Sequence, residues 1–153
     1  MRLVHAGPYA RYLTFDEPPS AELSRRLGAL AHALRSVLPA GLYDVVPGHA
    51  DVLVEGRYLL DDERLARAVA GAEAVAPPEP RRFKVSVAYG DRADVSELCD
   101  RLALSWDEIV ARHAAATYSV AYLGFTPGFP YLHGADPRLT TSRRARPRPD
   151  VPA

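Results

Sequence analysis

The densest chemical signal in the chain lies in Gly124-Phe125-Thr126-Pro127-Gly128-Phe129-Pro130-Tyr131-Leu132. Pro127-Gly128 suits the two central positions of a type II turn, because proline presets φ and glycine accepts positive φ. The prolines also hold Thr126 and Phe129 in extended conformations. On sequence grounds the Phe129-Pro130 bond is open to either isomer. The expected product is a stiff loop that leaves a strand and fixes the rings of Phe125, Phe129 and Tyr131. Two roles suit such a loop. The rings either form a wall for a small cyclic ligand, held by apolar contact at low entropic cost, or plug the end of a barrel.

Candidate anion-binding groups follow directly: Arg138, Arg143, Arg144, Arg146 and Arg148. Arginine grips carboxylate and phosphate through two parallel N–H bonds. Taken singly, each of these arginines fits a solvated surface loop just as well. His113 is the candidate acid/base or phosphate contact, since an ordinary imidazole titrates near neutrality. At the end of a helix it equally well complements the helix dipole. Ser119 and Ser142 have no identifiable base partner, so no nucleophile is assigned. Cys99 is the single cysteine. It can form no internal disulfide, and no Cys/His spacing marks a zinc site. A reducing, cytoplasmic setting fits that usage.

The elements that must position these groups fall into two parts. Met1 to Asp16 reads as two short extended segments around the Gly7-Pro8 turn. Ser20 caps a helix whose apolar stripe is Leu23, Leu27, Leu30, Leu34 and Val37, with Pro39 and Gly41 stopping it. Leu42 to Val46 and Asp51 to Glu55 read as strands joined at Pro47-Gly48. Asp61 or Asp62 caps a second helix with Leu65 and Val69 on its inner face. The sum is β-β-α-β-β-α, a small two-layer α+β domain over residues 1–75. Residues 76–82, with Pro77, Pro78 and Pro80, read as an extended linker. Residues 83–153 form a second domain. In it Phe83, Val85, Val87 and Tyr89 alternate as in a half-buried strand. Asp94 opens a short helix with Val95, Leu98 and Leu102. Ser105-Trp106-Asp107-Glu108 is a capping-box pattern for a helix toward His113. Tyr118, Val120 and Tyr122 alternate as a second strand.

Bulk properties exclude several classes. The chain has 153 residues, a formal net charge of zero and 48% hydrophobic residues. That content supports a real core and argues against wholesale disorder. A zero balance argues against a dedicated nucleic-acid binder. Met1 to Ala10 has no long apolar run, so neither a signal peptide nor a membrane anchor is expected there.

The segment from Gly124 to Leu132 resembles the GFxPGFPYL signature of the PxpB/KipI family, also called allophanate hydrolase subunit 1. The match continues through Gly134, Asp136, Arg138 and Leu139, then Arg143-Arg144 and Pro147-Arg148, to Val151-Pro152-Ala153. Weaker similarity at Val45-Val46-Pro47, Val52-Leu53-Val54 and Glu108-Ile109-Val110 with His113 extends it over the whole chain.

The resemblance implies an α+β fold: the N-terminal α+β domain followed by a cyclophilin-like β-barrel, here truncated because the family's later strands follow the position of Ala153. It implies a cytoplasmic subunit of an ATP-dependent 5-oxoprolinase, acting with a larger PxpC-type subunit and a PxpA-type subunit, with ATP and magnesium as cofactors. Opening a stable lactam by phosphorylating its oxygen calls for cations and a pocket for a five-membered ring. On that reading His113, Arg143 and Arg148 take catalytic roles, while Gly124, Phe125, Pro127, Gly128, Phe129, Tyr131 and Arg144 bind the substrate, 5-oxoproline. No metal ligands, nucleic acid or membrane are implied. The alternative within the same resemblance is a KipI-type protein that binds and inhibits a sensor histidine kinase. Two departures stand out. Tyr89-Gly90-Asp91-Arg92-Ala93-Asp94 is shorter than the family's YGGEFGPDL-like turn and lacks its glutamate-phenylalanine pair. His133 stands where the family has a small residue.

Overall fold

Ser20 begins the longest helix. Its side-chain oxygen accepts from the backbone N–H of Leu23 at 3.1 Å, satisfying one of the donors a helix start leaves unpaired. The computed structural model describes residues 1–72, 75–76, 78–90 and 94–143. Among them the order is β1 (Arg2–His5), β2 (Ala10–Thr14), α1 (Ala21–Val37), β3 (Tyr43–Pro47), β4 (Asp51–Gly56), α2 (Asp62–Ala72), α3 (Val95–Leu102), α4 (Trp106–Ala115), β5 (Ser119–Leu123) and β6 (Pro130–His133). A short 3-10 turn, Pro137–Leu139, follows. The expected β-β-α-β-β-α unit is present, and the mixture of helices and strands is α+β.

Two compact units form, and they do not follow chain order. One contains residues 1–83 and 118–133, the other 84–117 and 134–153. The expected division at residues 76–82 therefore leaves out a return of the chain, which brings β5 and β6 back onto the N-terminal unit.

In the first unit β1-β2-β4-β3 make a four-stranded antiparallel sheet. Strand alternation turns Leu13, Val45, Val52 and Val54 to one face, where Leu23, Leu27, Ala31, Leu34 and Leu38 of the α1 segment and Leu65 and Ala72 of α2 bury them. The stripe on α1 thus runs to Leu38, and Val37 stays 40% exposed. A period of 3.6 carries the stripe from Leu34 to position 38 rather than 37. Each fully buried leucine contributes about 2 kcal/mol by leaving water. Asp61 caps α2 by accepting from the Glu63 N–H at 3.0 Å.

Arg11 is buried at the inward register of β2. Its guanidinium donates to Asp62 Oδ1 at 2.7 Å and to the carbonyls of Gly7, Ala10 and Leu60 at 2.9, 3.0 and 3.0 Å. A buried cation persists only when so satisfied. His5 also reaches Asp62, at 3.1 Å. The Arg11 hydrogen bond is the main reason the Asp62 carboxyl titrates below its usual range.

The hairpin β5–β6 packs on α1. Ser24 of α1, itself buried, meets His133 at the end of β6, with Oγ and Nε2 2.9 Å apart.

The second unit holds α3 and α4. Ser105 and Glu108 complete the expected capping box in both directions. The strand expected over Phe83 to Tyr89 does not form. Phe83 and Val85 are 78% and 76% exposed, and the segment pairs with no described strand. Alternation makes a strand only where a neighbouring strand supplies hydrogen bonds and a face to cover. No closed barrel forms among the described residues.

Candidate functional site

The loop between β5 and β6 is built from two consecutive tight turns. Phe129 N–H donates to Thr126 O at 3.1 Å across Pro127-Gly128, and Gly128 has φ +79°, the geometry of a type II turn. Just before it, Thr126 N–H donates to Gly124 O at 2.8 Å, closing a γ-turn on Phe125, whose φ is +68°. A bulky residue at positive φ is strained, and such strain collects at functional sites. Gly124 N–H donates to Phe129 O at 3.0 Å and closes the loop. Phe125 is left 87% exposed at its tip. The described peptide bonds, Phe129-Pro130 included, are trans.

A β-bulge then arranges the rings. Val120 pairs with Leu132 and Tyr122 with Tyr131, so Ala121 is the extra residue. Without it, regular pairing would set Pro130 opposite Tyr122. With it, Tyr122 and Tyr131 stack at 4.7 Å and 15°. Phe129 meets Tyr131 edge-on at 5.4 Å, and Phe125 meets Phe129 at 5.9 Å. At the other end His49, on the β3–β4 turn, meets Tyr122 at 4.8 Å and Tyr131 at 6.1 Å, both edge-on. The result is a five-ring ladder: Phe125, Phe129, Tyr131, Tyr122, His49. Gly124 lets it close. A Cβ there would come within 3.3 Å of Cε2 of both Tyr122 and Tyr131. Burial, with smaller contributions from Tyr131 and Asp51, pushes the Tyr122 phenol above its ordinary value. It is therefore a neutral hydroxyl at neutral pH.

Gly124, Phe125, Pro127, Gly128, Phe129 and Tyr131 are thus brought together as one surface. His113 and Arg143 belong to the second unit. The Nδ1 of His113 lies 2.6 Å from the hydroxyl of Tyr89, which also stacks edge-on against Trp106 at 6.3 Å. Arg143 is exposed. Its neighbour Ser142 is anchored by Arg101, which donates to the Ser142 carbonyl at 2.5 Å and hydroxyl at 3.1 Å. Arg144, Arg146, Arg148 and Asp91 lie outside the described residues. Asp136 has a structural partner. It accepts from Arg112 at 2.9 Å and from the Arg138 N–H at 2.8 Å.

His49 and Tyr122 are the site residues that sequence reasoning missed. Tyr122 was legible only as a strand position. Nothing in sequence places the β3–β4 turn beside β5. His133 carried a weak signal as a departure from a small residue, and its hydrogen bond to Ser24 gives that departure a docking role.

The family model for the carboxyltransferase domain, subdomain C and D, matches residues 1–153. The 5-oxoprolinase B subunit of Escherichia coli O157:H7 is 33% identical, over 96% of this chain and 69% of its own length. That of Haemophilus influenzae is 30% identical, over 100% and 73%. That of Bacillus subtilis is 35% identical over 60% of this chain and 38% of its own. The crystal structure of TTHA0988 superposes with a TM-score of 0.77 at 40% identity, over 94% of this chain. This chain spans 28% of the length of TTHA0988. With the signature segment folded as one aromatic surface and two such relatives matched over nearly all of its residues, the chain belongs to the PxpB family of 5-oxoprolinase B subunits.

Proposed function

We propose that this chain is the subunit of an ATP-dependent 5-oxoprolinase that shapes the pocket for the cyclic amide, working with a larger partner subunit and a third component. The observation that carries the reading is the ring ladder on the strained Gly124 to Tyr131 loop. Aromatic rings held by two turns and a bulge bind a small ring without first having to be ordered. Family membership and the names of the relatives support the substrate. On this reading the N–H groups of Phe125 and Gly128, which the loop's own hydrogen bonds do not use, face developing charge, and Arg143, Arg144 and Arg148 hold the anionic groups. The cyclophilin-like barrel and the cytoplasmic setting belong to the same proposal. ATP supplies the phosphoryl group that turns the lactam oxygen into a leaving group. Among the described residues no cluster of three His, Cys, Asp or Glu side chains is placed to hold magnesium.

The test is 5-oxoproline-dependent ADP release by the full-length protein copurified with its large subunit and supplied with the third component. Turnover that requires this chain, and falls at least about tenfold on Phe129→Ala with the fold intact, is the expected result. Wild-type turnover in that variant sinks the ring-pocket reading.

A further inference from the structure

The ladder changes character along its length. Phe125 and Phe129 present only hydrocarbon. Tyr131, Tyr122 and His49 present polar groups, and among the described residues none of these groups has a hydrogen-bond partner. His49 differs from the other four in origin, coming from the β3–β4 turn rather than from the hairpin. That turn is itself tightly specified. Gly48 N–H donates to Asp51 O at 2.8 Å, and a Cβ on Gly48 would lie 2.5 Å from Asp51 Oδ1. The imidazole is therefore held on a fixed support while its two ring nitrogens stay available.

The charge at this end decides what kind of group fits. Asp51 lies near enough to raise the Tyr122 phenol. No arginine or lysine contacts the Tyr131–Tyr122–His49 end among the described residues. A ligand carboxylate or phosphate placed there would meet an anion and electron-rich ring faces. A neutral amide meets neither penalty. Either its N–H donor or its C=O acceptor can pair with one ring nitrogen of an imidazole in the matching role.

We propose that His49 is a substrate-positioning residue that hydrogen-bonds the neutral amide edge of a cyclic amide lying on the ring ladder, leaving the ligand's carboxylate for cationic groups elsewhere. The inference rests on the ring-pocket reading above. It adds to that reading a polarity, with hydrocarbon of the ligand toward Phe129 and amide toward His49.

The experiment measures binding of 5-oxoproline, and of 2-pyrrolidinone, the same lactam without its carboxylate, to the full-length protein in complex with its large subunit. His49→Phe keeps a ring against Tyr122 and removes the hydrogen bonds. His49→Gln keeps donor and acceptor and removes the ring. Phe129→Ala serves as the control for the pocket. The expected result is a loss of about tenfold for both ligands on His49→Phe, a smaller loss on His49→Gln, and weakening of both on Phe129→Ala. If Phe129→Ala weakens binding and His49→Phe does not, the role of His49 is overturned and the pocket stands. If His49→Phe weakens 5-oxoproline alone, His49 reads the carboxylate and the proposed polarity is wrong. Unchanged binding in Phe129→Ala removes the pocket and the proposal with it. His49 is exposed on its turn, so its variants should keep the fold, which a thermal melt of each checks.

Discussion

Tyr122 and Tyr131 stack because one residue, Ala121, is surplus to the pairing of β5 with β6. The same residue is buried on a strand that packs on α1, so the bulge sits where the hairpin docks and also aims its rings. The space between the rings and the backbone is closed to anything larger than hydrogen at position 124.

Gly124→Ala should therefore separate the stacked pair. A methyl group at 3.3 Å from two ring carbons must displace them by a few tenths of an ångström. Overpacking of this kind costs about 1 kcal/mol or more. The expected outcome is a lower urea midpoint together with weakened ligand binding. A midpoint and affinity equal to wild type would show that the rings move aside freely.

Phe125→Gly should move stability and function in opposite directions. Glycine adopts a φ of +68° without the steric cost that phenylalanine bears. Relief of that strain, less the added chain entropy of glycine, is expected to stabilise by up to about 1 kcal/mol. Turnover should fall, because the exposed ring at the loop tip is gone. Denaturant unfolding and ADP release on the same preparation check both halves.

Ser24→Ala breaks the bond between α1 and the end of β6. Loss of one partner from a partly buried hydrogen bond is worth about 1 kcal/mol. The double-mutant cycle with His133→Ala should return a coupling of about 0.5 to 1.5 kcal/mol. Additive effects would mean that the hairpin is docked by apolar contact alone.

Acid should weaken the second unit through Asp136. The Arg138 backbone N–H, then Arg112, hold its carboxyl below the ordinary value of 3.8. A depressed folded value gives stability that is present above the unfolded value and lost as pH falls through the folded one. Urea midpoints should therefore decline below about pH 4 in wild type, and Asp136→Asn should flatten that part of the decline. An identical decline in the variant would assign it to other carboxylates, such as Glu108, whose value the Ser105 backbone N–H also lowers.

The sequence was informative where local rules act alone. The Ser20 cap, the Ser105 to Glu108 box and the Pro127-Gly128 turn are each specified within four residues, and each is present. It was uninformative where distant segments meet. Nothing in the sequence marks Arg11, around which Asp62 and three carbonyls close only in the fold. Phe83 to Tyr89 had the alternation of a strand and no described neighbour to pair with. His49 had no motif at all, and only the return of the chain past residue 118 gives it a place beside Tyr122.

That return also sets an order of events during synthesis. α1 leaves the ribosome and meets its sheet long before β5 and β6 exist, and at ordinary elongation rates the surface around Ser24 waits several seconds for its cover. A nascent chain arrested before residue 118 should bind chaperones through that surface and release them once the hairpin has been translated. The hairpin that carries four of the five ladder rings is also the last to arrive on its unit, so the first unit can gain its aromatic surface only after its core is formed.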